Sequence, residues 1–121
     1  MAPVPTIAYL SSRAYEGSAV KINYIAGGGS ERIETMALTR RAVTPGQRAL
    51  IIDDFMKGGG TLQGMVDLMK EFLAEVVGVG VMIATAKPEA KRVVGARSLL
   101  VLEGFDPQTG RAIVHPAEEF R

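Results

Sequence analysis

Cysteine and tryptophan are absent from this chain of 121 residues, and histidine occurs once. The lack of cysteine excludes disulfides, thiol nucleophiles and cysteine-bound metal sites, and it fits a reducing, cytoplasmic location. The single histidine, His115, stands beside Pro116 with no second histidine and no carboxylate at metal-ligand spacing. We therefore expect His115 to lie on the surface, and we predict neither a metal site nor nucleophilic hydrolysis.

Long apolar runs and a strong charge bias are also missing. No uninterrupted apolar stretch reaches membrane-spanning length, and the N-terminus lacks the basic and apolar regions of a signal peptide, so we expect no membrane partner. The formal net charge is +1, without the basic stripe of a dedicated nucleic-acid domain. Hydrophobic residues make up 47% of the chain, enough for the core of a single domain over residues 1–121.

The N-terminal part of the chain predicts strands and a hairpin. Residues 6–10 form a short apolar run that is typical of a strand. Residues 19–25 alternate apolar and polar positions, which predicts a half-buried strand with Tyr24 packed on its apolar face. The glycine-rich residues 26–31 indicate a turn or a mobile tip, and residues 32–39 return as the second arm. The sequence thus predicts a β-hairpin arm.

The middle of the chain predicts a β-α-β unit. Residues 49–52 are continuously apolar, as expected of a central parallel strand buried on both faces. From Thr61 the period changes to that of an amphipathic helix, and residues 76–84 form a second apolar strand. Two strands joined by one helix are expected to be parallel. The apolar helix positions are Met65, Val66, Met69, Phe72, Leu73 and Val76.

The last third adds strands to the same sheet. We predict a short helix over residues 87–96, a third buried strand over residues 98–102, a turn over residues 106–111 and a last strand over residues 112–114. The sum is a small α/β domain with a mostly parallel sheet flanked by helices. Three basic residues in and after the short helix are expected to face solvent: Lys91, Arg92 and Arg97.

The stretch "LIIDDFMKGGGT" carries the chemistry. Asp53 and Asp54 stand at the predicted carboxyl end of a strand, where open parallel sheets bind their ligands. Residues 58–60 are glycines that enter a helix N-terminus, where free N–H groups and the helix dipole favour an anion such as phosphate. The carboxylates could accept hydrogen bonds from sugar hydroxyls or hold a hydrated Mg²⁺. Together these features predict a site for a phosphorylated ribose.

Two other phosphate motifs fail on this stretch. A P-loop requires a lysine after its glycines, whereas Lys57 precedes them. The dinucleotide fingerprint requires a third glycine where this chain has Gln63. A plainer alternative stays open, in which the acids cap a tight turn and the glycines only shape it.

The same stretch resembles the phosphoribosyl-pyrophosphate (PRPP) signature of the type I phosphoribosyltransferase fold. The resemblance implies that Asp53 and Asp54 face the ribose hydroxyls. Catalytic members commonly read Ala-Thr-Gly-Gly-Thr in the following loop, so Lys57 and Gly58 replace an alanine and a hydroxyl residue, which puts catalysis in doubt. The residues that the resemblance assigns to the 5-phosphate are Lys57, Gly58, Gly59, Gly60 and Thr61.

A narrower resemblance points to regulation. "IIDDFM" before Lys-small-Gly-Gly-Thr, together with the hairpin "EGSAVKINYIAGGGSERIETMALTRR", is similar to the C-terminal domain of the Gram-positive purine operon repressors. That family implies PRPP as an effector ligand, no transferase activity, and DNA binding only through a winged-helix domain that this chain lacks. Arg40 and Arg41, at the end of the arm, could contact the pyrophosphate or simply face solvent.

Two alternatives remain beside this interpretation. A xanthine-like phosphoribosyltransferase also reads "IIDDF" and would transfer ribose 5-phosphate to a purine base. Alternatively, the chain binds nothing, because the N-terminal strand and pyrophosphate loop of the family are missing before residue 6. In each of these interpretations the missing strand and loop make the domain partial, and the sheet edge that this leaves exposed favours pairing with a second copy, so we expect a homodimer.

Overall fold

The computed structural model describes residues 19–26 and 32–121. The strand predicted at residues 6–10 and the turn residues 27–31 lie outside this range. The elements, in chain order, are β1 (Ala19–Ala26), β2 (Arg32–Thr39), β3 (Arg48–Met56), α1 (Gly60–Glu71), β4 (Glu75–Thr85), β5 (Arg97–Phe105), β6 (Ala112–Pro116) and a short 3-10 helix (Glu118–Phe120).

Two sheets make up the described part of the chain. Strands β1 and β2 pair antiparallel, which confirms the hairpin arm. The other sheet has the order β3-β4-β5-β6, in which the first three strands are parallel and β6 is antiparallel. This confirms the predicted β-α-β unit and the mostly parallel sheet. Every helix within residues 19–26 and 32–121 is too short or too polar to span a lipid bilayer.

The core lies between the four-stranded sheet, α1 and the hairpin. Helix α1 contributes the two most deeply buried side chains, Leu62 and Leu68. The sheet contributes Ile51 from β3, and the hairpin contributes Met36 and Leu38 from β2. Apolar side chains with spacing 3 and 4 on the helix face period-2 positions on the strands, so one apolar stripe meets one apolar sheet face.

Strand β3 differs from the prediction that it is central and buried on both faces. Among the described residues it is an edge strand, and Leu50 and Ile52 are 65% and 66% exposed. The prediction was wrong because a continuous apolar run does not reveal how many layers cover a sheet. Here α1 and the hairpin cover one face, where Ile51 is 7% exposed.

Helix α1 is shorter than its apolar period predicts. It ends at Glu71, Phe72 caps it, and Leu73 takes a left-handed conformation (φ 58°) with 72% of its surface exposed. The Gly46 N–H donates to the Leu73 carbonyl at 2.8 Å, so the predicted turn before β3 holds the chain where it leaves the helix. The chain must reverse here so that β4 can run parallel to β3. Tertiary contacts determine where this reversal occurs, and the apolar period of the helix does not.

The helix predicted over residues 87–96 is also wrong. The structure has a series of bends there, between Pro88, which disfavours helix for the residue before it, and Gly95 at φ 77°. The backbone of this segment forms a hydrogen bond to a distant part of the chain, because the Arg92 N–H donates to the Gly58 carbonyl at 2.8 Å. Long-range contacts therefore replace the local helical bonds.

Candidate functional site

The acid pair lies inside β3 and not beyond its end, because the strand continues to Met56. Asp53 is half-buried beside Val81 of β4, whereas Asp54 is exposed. Asp53 lies on the helix-facing side with Ile51, and the Asp54 side chain lies close enough to Asp53 to interact with its carboxyl. The Asp54 N–H donates to Asp53 Oδ1 at 2.9 Å and fixes the orientation of that carboxylate.

The environment favours protonation of Asp53 more than that of an ordinary aspartate. Burial raises the pKa of the Asp53 carboxyl, and the neighbouring Asp54 side chain raises it further, against the lowering effect of the Asp54 N–H. A carboxylate with this environment gains from a cation or from hydroxyl donors, because either offsets the lost hydration. Two carboxylates are too few for a complete metal cage, and no cluster of three metal-binding side chains occurs in the described ranges. Such a pair could contribute two oxygen ligands to a hydrated Mg²⁺.

Residues 57–61, the glycine loop, connect β3 to α1 and line a pocket of about 250 Å³. The helix N-cap is Gly59, no side chain caps the N-terminus, and its first turn has no acidic residue. The N-terminus of the helix therefore lines the pocket without a side-chain cap or a nearby acid, an arrangement that suits an anion. The remaining lining residues are Ile25, Phe55, Met56 and Leu62.

Each glycine of the run has a different structural environment. Gly59 has φ 87°, and a Cβ on it would lie 3.1 Å from Val93 Cγ1. A Cβ on Gly60 would lie 1.9 Å from the carbonyl oxygen of Ile25 in the hairpin. A Cβ on Gly58 would meet nothing within 4 Å. The left-handed backbone thus requires glycine at position 59, and the close contact with Ile25 requires it at position 60. Neither reason applies to Gly58.

The structure brings the hairpin arm to the glycine loop, but not through the arginines. The carbonyl of Ile25 touches Gly60, and Tyr24 packs on Gly64 of α1. Arg40 and Arg41 are exposed and follow β2 at the other end of the hairpin, where Thr39 pairs with Ala19. With seven residue-to-residue steps from Ala19 to Ala26 at about 3.3 Å each, the two ends lie roughly 23 Å apart.

Residues 91–93 contact the glycine loop and were missed by the sequence analysis. The Lys91 ammonium donates to the Lys57 carbonyl at 2.5 Å, and burial lowers its pKa. Arg97 is exposed and pairs with Glu119, and Arg92 is exposed as well. The predicted helix does not form, but these two basic residues face solvent as expected, and Lys91 is the exception. No spacing signal could have revealed a contact across 34 residues.

This chain is similar to known proteins in sequence and in fold. The model of the phosphoribosyl transferase domain family matches residues 11–107. The probable purine biosynthesis transcriptional regulator PurR of Streptococcus pneumoniae is 44% identical over 91 residues, which are 75% of this chain and 33% of that protein. The purine biosynthesis transcriptional repressor PurR of Bacillus subtilis is 46% identical over 91 residues, 75% of this chain and 32% of that protein.

Enzymes are among the relatives as well. A xanthine phosphoribosyltransferase from Laribacter hongkongensis is 32% identical over 74 residues, which are 57% of this chain and 39% of the enzyme. Adenine phosphoribosyltransferase from Rhodothermus marinus superposes with a TM-score of 0.60 at 25% identity, over 73% of this chain and 51% of that one. The Trypanosoma brucei enzyme, in complex with AMP, pyrophosphate and ribose-5-phosphate, has a TM-score of 0.60 at 21% identity, over 76% of this chain and 43% of that one.

These matches agree on the fold and differ in extent. The solved enzymes confirm the type I phosphoribosyltransferase-like fold that the "LIIDDFMKGGGT" resemblance implied. The chain spans about a third of the length of the curated purine regulators that it matches. The family model, in contrast, covers most of this chain. The chain belongs to the phosphoribosyl transferase domain family.

Proposed function

We propose that this chain is the PRPP-binding effector domain of a purine operon transcriptional repressor and that it is not catalytic. The observation that carries the proposal is the glycine loop at an uncapped helix N-terminus, with the acid pair of β3 immediately before it. The loop offers backbone N–H groups to a phosphate, and the acids offer acceptors to a diol. A phosphorylated ribose has both groups.

Each candidate residue has a role in this proposal. Asp53 and Asp54 accept hydrogen bonds from the ribose hydroxyls, and the raised pKa of Asp53 makes it responsive to a cation nearby. The N–H groups of residues 58–61 bind the 5-phosphate, and the exposed Lys57 adds positive charge at the rim. Asp53 and Asp54 would help to hold Mg²⁺, which would supply positive charge against the repulsion between the carboxylates and the phosphates of PRPP.

Two observations favour regulation over catalysis. The relatives that are 44% and 46% identical to this chain over 75% of its length are purine biosynthesis regulators. The glycine loop also has Gly58 where catalytic relatives commonly carry a hydroxyl residue, and no side chain fills the space around it. PRPP is thus an effector here, and DNA is bound by another domain of a longer protein. A homodimer would bring two such domains together on a palindromic operator.

The alternative is a purine phosphoribosyltransferase. It is supported by the xanthine phosphoribosyltransferase that shares 32% identity with this chain. In that case the same site positions PRPP for attack by a base. Incubation with PRPP, Mg²⁺ and each purine base separates the two functions: we expect no nucleotide, and nucleotide formation would favour the enzyme.

Calorimetry with PRPP and Mg²⁺ tests the binding site directly. We expect wild-type protein to bind, and the variants Asp53→Asn and Asp54→Asn to bind at least about tenfold more weakly, because each loses a charged acceptor. The exposed Glu71 at the helix C-terminus provides the matched control, since Glu71→Gln removes the same charge away from the site. No heat at millimolar PRPP from the wild-type protein would contradict both binding functions and leave a fold that binds nothing.

A further inference from the structure

Three consecutive residues, 91–93, contact three consecutive residues of the glycine loop; we name residues 91–93 the bracing segment. The Lys91 ammonium donates to the Lys57 carbonyl at 2.5 Å. The next N–H, that of Arg92, donates to the Gly58 carbonyl at 2.8 Å. Val93 follows, 5% exposed, with its Cγ1 against Gly59. The two segments therefore run side by side, in register.

The ammonium of Lys91 has little left to offer a ligand. It also donates to the backbone carbonyl of Thr85 at 2.8 Å and to the Thr85 hydroxyl at 3.2 Å. An ammonium has three hydrogens, and Lys91 has three acceptors. The Lys91 ammonium is thus fully hydrogen-bonded within the protein. It links Thr85, at the end of β4, to the glycine loop.

These bonds determine which way the loop's N–H groups point. The peptide bonds on both sides of Gly58 are trans, so each carbonyl and the following N–H point in opposite directions. The Lys57 and Gly58 carbonyls point to the bracing segment. The N–H groups of Gly58 and Gly59 consequently point away from it. Without the brace, either peptide plane could rotate and turn a carbonyl oxygen towards an incoming anion.

We propose that the bracing segment holds the glycine loop in its anion-binding conformation and that Lys91 is its principal positioning residue. This inference rests on the proposed function, because it takes the loop to be the phosphate site. Lys91 then acts on the affinity for the 5-phosphate group without touching it. Neither the family signature nor the local sequence around the glycines includes this residue.

The test compares Lys91→Met with wild-type protein in two measurements. Calorimetry with PRPP and with ribose 5-phosphate is expected to show roughly tenfold weaker binding of both, as for loss of one charged hydrogen bond. Relaxation of the backbone ¹⁵N nuclei, without ligand, is expected to show the Gly58 and Gly59 order parameters falling from about 0.85 to below about 0.6. A purely structural role would lower the melting temperature and leave both readings unchanged in the folded protein.

Two further variants provide the controls. Lys91→Arg retains a cation and several donors, and is expected to recover most of the affinity. Lys87→Met removes the same charge from an exposed position in the same connection, and is expected to bind like wild type. If Lys91→Met does not fold, Thr85→Val removes one acceptor of the ammonium while it keeps the branched shape, and is expected to weaken binding about twofold to threefold.

The results of these measurements distinguish a failure of the brace from a failure of the proposed function. Wild-type affinity in a folded Lys91→Met, or unchanged order in its loop, would overturn the brace. If the wild-type protein binds neither ligand, the proposed function is wrong, and the relaxation data alone then test the brace. Loss of binding in Lys87→Met as well would reduce the effect to bulk charge and contradict a positioning role.

Discussion

The glycine loop has a crowded side and an open side, although both are built from the same residue type. On the crowded side, Gly60 leaves room for the Ile25 carbonyl, and Gly59 lies against Val93. On the open side, Gly58 has no neighbour within 4 Å of a Cβ. A run of glycines in a sequence can therefore contain positions where packing excludes a side chain and positions where a side chain would fit.

The four-stranded sheet shows the same contrast on a larger scale. On the face towards α1, Ile51 and Val81 are 7% and 5% exposed. On the other face, Ile52 and Met82 are 66% and 57% exposed, although they are just as apolar. These four residues are all apolar, and their burial differs because the helix and hairpin pack on only one of the two faces.

Gly60→Ala tests the crowded side and should have the largest effect. Its Cβ would lie 1.9 Å from the Ile25 carbonyl oxygen, so the hairpin must move away from α1. We expect a loss of about 2–4 kcal/mol in the free energy of unfolding, as for overpacking at a rigid backbone contact. Urea denaturation measures it, and a variant as stable as wild type would show that the hairpin does not pack there.

Gly58→Ala tests the open side and should be nearly neutral. The new methyl group meets nothing within 4 Å and the residue needs no left-handed conformation. We expect a change from zero to about 1 kcal/mol of stabilisation, through a less flexible unfolded chain. The same denaturation experiment checks it beside Gly60→Ala. A loss as large as that of Gly60→Ala would mean that the two sides of the loop do not differ.

His115 lies remote from the loop and should have the smallest effect. The Glu103 carboxylate, 2.5 Å from His115 Nε2, raises the pKa of the imidazole, while Arg121 opposes it. A raised folded pKa gives stability that is complete below the unfolded pKa of about 6.5 and is lost as pH rises through the folded pKa. We expect wild type to melt slightly above His115→Gln at about pH 5.5 and to match it at about pH 8.5. A gap that widens with pH would contradict the ion pair.

Local patterns predicted most of the elements. Alternation in residues 19–25 predicted β1, and "TPGQ" predicted the turn before β3, where the Gln47 N–H donates to the Thr44 carbonyl at 3.1 Å. Residues 57–61, which the resemblance assigns to a 5-phosphate, line a pocket, and their role in binding stays a prediction. The failures occurred at residues 72–76 and 87–96. At the first, the last local bonds of the helix are followed by bonds between Leu73 and Gly46 and between Glu75 and Gln47. At the second, the Arg92 N–H bonds to Gly58 and no helix forms.

The sequence by itself determined the order of strands and helix, and it determined the acid pair and glycine run that mark the site. Those features depend on residues close together in the chain, whose spacing sets period, turn and charge. Only the tertiary structure decided that Ile25 closes against Gly60, that Lys91 braces Lys57, and that one sheet face stays exposed. Such contacts join residues that are tens of positions apart in the chain. Shape and hydrogen-bond geometry determine them, and the spacing of neighbouring residues does not predict them.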